Sequence, residues 1–162
     1  MKAINELDRA AFVERFGPLF EHSPWVAERA WSHRPFATID ELHQAMMGEV
    51  LAATADEQVA LIRAHPDLGT RARMSAASTD EQADAGLASL SRADFERLQS
   101  LNAAYRERFG FPFLFAVKGS TTSQVLDALA ARLSASLEHE LAEVLRQVSR
   151  IAWFRLHDTL GV

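Results

Sequence analysis

The sequence contains no cysteine among its 162 residues. Disulfides, thiolate nucleophiles and cysteine-based zinc sites are therefore excluded. A basic surface is missing as well, because 17 Lys and Arg are scattered along the chain and outnumbered by 22 Asp and Glu, giving a net charge of −5. This balance argues against nucleic-acid binding.

Long apolar runs are also absent. No uninterrupted run approaches the roughly 20 residues that cross a membrane, and Met1 to Glu6 lack the apolar core of a signal peptide. The Leu160-Gly161-Val162 terminus is not a peroxisomal tripeptide. We expect a cytoplasmic protein with no membrane partner.

Two common ligand motifs are missing. The chain has neither an HExxH metal motif nor a glycine-rich phosphate loop. Five of the histidines show no close metal-ligand grouping: His22, His33, His43, His139 and His157. We therefore expect no metal site.

The composition is that of an ordinary globular protein, with 48% hydrophobic and 24% charged residues. The length fits one domain covering residues 1–162, and no repeat or linker divides it. Apolar residues recur at helical spacing, which predicts an all-α fold of about seven to eight helices with short connections.

Most predicted helices begin at residues that can accept hydrogen bonds from free backbone N–H groups. The proposed caps, in chain order, are Asn5, Ser23, Thr38, Thr54, Ser78, Ser91 and Thr121. Two further expectations are a first helix over residues 6–16 and a long last helix from Leu137 to Leu160. The Ser78 cap belongs to a capping box in which Glu81 already has a structural role.

Residues 111–119 differ from the rest of the chain. This dense apolar run is bounded by turn residues, and Pro112 disfavours a central strand, for which no partner strand is evident. We expect a buried extended segment between helices. Because few neighbours can pair its backbone polar groups, some of these groups are expected to be available to a ligand.

His65 stands where a helical pattern ends against Pro66. Proline disfavours the α region for the preceding residue, so the imidazole should lie at the end of the helix that begins near Ala55. A group that titrates near neutrality on fixed backbone suits proton transfer. The alternative is a histidine that only binds the last helical carbonyls.

Two polar residues fall on apolar helix faces. Arg155 projects onto the stripe that contains Val144 and Val148, so it needs an anionic partner, supplied by the protein or by a ligand. Asn102 lies on the stripe of the helix that begins at Ser91, and a buried amide there must find partners or bind a ligand.

Trp153 and Phe154 project away from the apolar stripe of the last helix. Exposed aromatic side chains of that size favour a partner surface, and we expect a homodimer. Packing against a neighbouring loop would also account for them.

Five ordered stretches resemble the 2-oxo-4-hydroxy-4-carboxy-5-ureidoimidazoline (OHCU) decarboxylases of urate breakdown. They are Ala64-His65-Pro66-Asp67-Leu68, Ser78-Thr79-Asp80-Glu81-Gln82, Leu101-Asn102-Ala103-Ala104-Tyr105, Phe109-Gly110-Phe111-Pro112-Phe113 and Ile151-Ala152-Trp153-Phe154-Arg155-Leu156. The resemblance covers essentially the whole chain. It implies an all-helical, cofactor-free, usually dimeric enzyme that converts the small molecule OHCU into (S)-allantoin and CO₂.

The same resemblance implies roles for individual residues. His65 would be the principal catalytic residue and Glu81 its acidic partner. The implied substrate-binding residues are Pro66, Ser78, Gln82, Phe111, Phe113 and Arg155, with the two phenylalanines contributing backbone contacts.

Two rival hypotheses remain open. One is a helical adaptor domain that binds a partner through Trp153 and Phe154. The other is a cofactor-free enzyme that acts on a related ureido or purine-derived acid.

Overall fold

The computed structural model describes residues 1–69, 87 and 90–162, and these residues form an all-α fold without strands. Eight α-helices lie within the described part of the chain. In chain order they are α1 (Lys2–Asn5), α2 (Arg9–Phe16), α3 (Trp25–Ala30), α4 (Ile39–Ala52), α5 (Ala55–Ala64), α6 (Arg92–Phe109), α7 (Thr122–Arg132) and α8 (Leu137–Leu160). Short 3₁₀ turns follow α2 and α3 at Gly17–Leu19 and Trp31–His33.

The chain divides into two units: residues 1–64 with 151–162, and residues 65–150. Helix α8 begins in the second unit and ends in the first. The predicted stripe along α8 is confirmed, because Val144, Val148, Ile151, Ala152 and Arg155 are all buried. Of the helices described, none is both long enough and apolar enough to cross a membrane.

Local capping chemistry places several helix starts where the sequence predicts them. Thr38 accepts the N–H of Glu41, Ser91 accepts that of Asp94, and Thr121 accepts that of Gln124. The Gln124 side chain also binds back to the Thr121 N–H, which completes a capping box.

The first helix differs from its prediction. Asp8 caps α2 by accepting the N–H of Ala11, so this helix starts three residues later than expected. The predicted cap, Asn5, instead exchanges two 2.9 Å hydrogen bonds with the backbone of Phe36. The Ser23 cap is also wrong, because the Ser23 hydroxyl donates to the carbonyl of Glu21.

In the first unit, α3 packs against α2 and α4. Phe12 lies at its core, with ring centroids 4.8 Å from Phe16 and 6.3 Å from Phe36. Arg34 donates to the carbonyls of Asn5 and Leu7 and thereby ties the loop before α4 to the start of the chain.

In the second unit, α6 packs against α7 and ends at Gly110, whose φ of 77° supplies the left-handed cap that glycine allows. Leu98 and Tyr105 of α6 are fully buried with Leu126 and Leu129 of α7. Phe95, one turn before Leu98, is 44% exposed, so the buried face of α6 begins at Leu98.

Candidate active site

The His65 segment follows the end of α5. Thr54 and Glu57 form the capping bonds that start this helix, and the helix ends at Ala64, directly before the His65–Pro66 pair. The position predicted for His65 is therefore confirmed. Its side chain is buried, with 5% of the residue exposed. The imidazole is therefore held largely out of water at the end of α5.

Residues 67–69, which follow the His65–Pro66 pair, lie against one face of α6. The Asp67 carboxylate is 2.8 Å from Nη2 of Arg106, and the Leu68 carbonyl accepts a 2.9 Å hydrogen bond from Nδ2 of Asn102. Gly69 has a φ of 69°, and a Cβ built there would lie 2.5 Å from Cδ2 of Leu98. Only glycine combines this conformation with such a close approach.

Asn102 is buried as predicted, with 6% of the residue exposed. Its Nδ2 is bonded to the Leu68 carbonyl, but its Oδ1 is the one buried side-chain polar atom without a hydrogen-bond partner among the residues described. A buried acceptor of this kind costs free energy unless a water molecule or a ligand satisfies it.

The predicted extended segment is confirmed. Residues 112–117 have no regular secondary structure, and all but Phe115 are buried. Two side chains bind its backbone: Arg132 donates to the Leu114 carbonyl at 2.8 Å, and Gln147 accepts the Ala116 N–H at 2.9 Å. The N–H groups of Phe111 and Phe113 have no such partner within the described residues.

An ion pair with a buried carboxylate supports this segment. Arg132 binds the carboxylate of Glu140, which also accepts the hydroxyl of Tyr105. The Arg132 guanidinium lies 4.5 Å from the ring centroid of Phe113. Burial, followed by the hydrogen bond and charge of Glu140, raises the pKa of Tyr105, so its hydroxyl stays a neutral donor.

Arg155 meets the anionic partner that its position on α8 requires. Its Nη1 lies 3.2 Å from Oε2 of Glu21 and 3.4 Å from the carbonyl of Leu19. Both side chains are buried, with 5% of the Arg155 side chain and 1% of the Glu21 side chain exposed. No local pattern identifies Glu21 as this partner, because 134 residues separate the two positions.

The prediction that Trp153 and Phe154 are exposed is wrong, because both are half-buried. The Trp153 ring lies 5.2 Å from that of His43 on α4 and 4.0 Å from that of His157 one turn along α8. The helical projection missed the contact with His43 because it contains no information about neighbouring helices.

The remaining predicted residues are placed as follows. His65, Pro66, Phe111 and Phe113 belong to the second unit, and Arg155 belongs to the first. Ser78, Glu81 and Gln82 lie outside the described residues. Within the described ranges, no three His, Asp or Glu side chains are grouped as metal ligands would be.

Comparison with known proteins points to one family. A family model described as OHCU decarboxylase matches residues 5–157. A 2-oxo-4-hydroxy-4-carboxy-5-ureidoimidazoline decarboxylase from Haloferax volcanii is 49% identical over 158 residues, which cover 98% of this chain and 94% of the relative. The protein of the same name from Halalkalicoccus jeotgali is 44% identical over 155 residues, covering 96% and 88% of the two chains.

A solved structure supports the same relationship. The crystal structure of an (S)-allantoin synthase superimposes with a TM-score of 0.81 at 34% identity. The match covers 98% of this chain and 53% of the solved chain.

Proposed function

Since the chain belongs to the OHCU decarboxylase family, we propose that it is a carboxy-lyase that converts OHCU into (S)-allantoin and CO₂ in urate breakdown. The observation that carries this proposal is the family match over residues 5–157, together with relatives of that name that align over nearly their whole length. The buried imidazole at the end of α5 supplies a group suited to the chemistry.

The reaction breaks the bond between the carboxylate carbon and the quaternary ring carbon. The electron pair of that bond forms a C=C bond to the neighbouring ureido-bearing carbon, and the C=N electrons of that carbon move onto the ring nitrogen, while CO₂ leaves. The nitrogen takes up a proton, a second proton adds to the ureido-bearing carbon, and the hydroxyl of the decarboxylated carbon loses its proton to become the carbonyl of allantoin. Because the substrate itself accepts the charge, we propose that the enzyme needs neither a metal nor an organic cofactor.

His65 is proposed to carry the proton, oriented by Glu81. Delivery from a fixed side chain to one face of the ureido-bearing ring carbon gives a single enantiomer. The burial of His65 supports this role, since an imidazole free in solvent would protonate either face.

The substrate is proposed to be held by polar groups from several parts of the chain. Arg155 and Gln82 bind planar polar edges of the ligand, and Pro66 and Ser78 line the site. The backbone of Phe111 and Phe113 makes hydrogen bonds to the ligand, which is supported by N–H groups that have no partner within the described part of the chain. We also propose that the enzyme is a cytoplasmic homodimer, to be checked by light scattering of the purified protein.

The decisive experiment is circular dichroism of freshly generated OHCU with and without the purified protein in EDTA. We expect rapid appearance of (S)-allantoin, and a fall of at least about 10²-fold in kcat for His65→Ala, as removal of a general acid–base predicts. His139→Ala, at an exposed histidine, is the matched control and should keep normal activity.

If OHCU decayed at the same rate with the protein as without it, and the allantoin formed were racemic, the proposed reaction would be refuted. Normal activity of His65→Ala would refute the proposed role of His65. A panel of related ureido acids, assayed in parallel, tests the rival substrate hypothesis.

A further inference from the structure

The contacts of residues 67–69 suggest a function for helix α6. We propose that Leu98, Asn102 and Arg106, called here the α6 row, form a clamp that positions His65 for proton transfer. This inference rests on the catalytic role proposed for His65. The three side chains are positioning residues, because each contacts a residue of the short segment that follows the imidazole.

The first argument is the register of the contacts. The members of the α6 row are spaced by four residues, so they lie on one helix face about one turn apart. They contact three consecutive residues in reverse order: Arg106 binds Asp67, Asn102 binds Leu68, and Leu98 packs on Gly69. One continuous helix face therefore follows one continuous stretch of backbone.

The second argument is the short distance along the chain. Only Pro66 separates His65 from the clamped residues, and the proline ring fixes its own φ near −65°. Few torsions remain between the imidazole and the α6 row. A shift of residues 67–69 is therefore transmitted to His65 instead of being absorbed by flexible backbone.

The third argument is the variety of the contacts. An ion pair, a side-chain bond to a carbonyl and a close apolar approach resist displacement in different directions. The Arg106–Asp67 pair is partly exposed, and such pairs contribute little to folding stability. Its loss is thus expected to change geometry more than stability.

The chain offers a matched pair of variants for the test. Arg97 and Arg106 are both on α6, and 49% of each side chain is exposed. Arg106 pairs with Asp67 at 2.8 Å, whereas Arg97 pairs with Asp127 of α7 at 3.3 Å. Replacing either arginine by glutamine removes one ion pair from the surface of α6. Only the Arg106 pair involves the segment that follows His65.

We expect Arg106→Gln to lower kcat about 5- to 20-fold with KM changed less than twofold, a smaller loss than the roughly 10²-fold cost of a 1 Å misplacement. Arg97→Gln should keep kcat within about twofold of the parent, since its partner is remote from His65 in sequence and on another helix. Asn102→Ser, which shortens the donor to the Leu68 carbonyl, should resemble Arg106→Gln.

A second readout does not depend on activity. In histidine-labelled protein, the NMR signal that disappears in His65→Ala identifies the His65 imidazole. This signal should shift in Arg106→Gln and stay in place in Arg97→Gln, and the other histidine signals should move in neither variant.

Equal kcat values for the two arginine variants, with an unmoved His65 signal, would overturn the clamp. A shifted His65 signal with an unchanged kcat would also overturn it, because the displacement would then not affect proton transfer. If His65→Ala retained full activity, the proposed catalytic role would fail instead, and the NMR result would still report whether the α6 row positions the imidazole.

Discussion

The Glu21–Arg155 ion pair provides the sharpest test of the energetics of this fold. Replacing Glu21 by glutamine keeps the size of the side chain but removes the charge opposite a guanidinium whose side chain is 5% exposed. Breaking a buried pair costs about 3–5 kcal/mol, and we expect about 3 kcal/mol because the amide oxygen of glutamine still accepts a hydrogen bond.

This free energy converts into a measurable melting temperature. At about 2.1 cal/mol/K per residue, a chain of this length unfolds with an entropy of about 0.34 kcal/mol/K. A loss of about 3 kcal/mol therefore lowers Tm by about 9 °C. Thermal unfolding followed by far-ultraviolet circular dichroism resolves a change of this size.

Two further variants control the experiment. Glu28→Gln removes an exposed carboxylate that lies 3.6 Å from Arg9. We expect this change to lower Tm by less than about 3 °C, because exposed pairs contribute at most about 1 kcal/mol to stability. The double variant Glu21→Leu with Arg155→Met should recover most of the lost stability, since apolar replacement of a buried pair is often neutral. A Tm of Glu21→Gln within about 2 °C of the parent would refute the reasoning.

Two other predictions concern a glycine and an exposed carboxylate. Gly69→Ala should destabilise the protein by more than about 1 kcal/mol in urea unfolding, because φ is positive and the new Cβ would strike Leu98; an unchanged midpoint would contradict the close packing. Hydrogen bonds from Arg29 and Thr54 lower the pKa of Glu57 to about 2, so its stabilising effect should be present above about pH 4.5 and be lost as the pH falls towards 2. The difference in urea midpoint between the parent and Glu57→Gln should therefore shrink over this pH range and in high salt, and a difference that stays constant with pH would refute this assignment.

The elements that could be predicted from sequence depend on nearby residues. Thr38, Ser91 and Thr121 cap helices because the N–H groups that they bind lie three residues away. Asn5 has the same capping chemistry but binds the backbone of Phe36, 31 residues away. A local pattern contains no information about a tertiary partner of this kind, so it predicts a first helix that begins too early.

The candidate site shows the same limit. The end of α5 at His65 could be predicted because Pro66 imposes it locally, and the burial of Arg155 followed from helical spacing. The partner of Arg155 could not be predicted, because its contact with Glu21 depends on the fold. Spacing also placed Asn102 correctly, but its bond to the Leu68 carbonyl required the structure.

The backbone of residues 111–117 is a length of protein core that belongs to no hydrogen-bonded ladder. Its position depends on two long side chains, Arg132 and Gln147, each bound to a single backbone group. A sheet strand can slip by two residues and regain its hydrogen bonds, whereas the described residues offer this segment no second set of partners. Insertion or deletion of one residue here would therefore break these bonds without replacement. The number of residues between Phe111 and Ala116 should thus tolerate less change than the identity of most side chains within the segment.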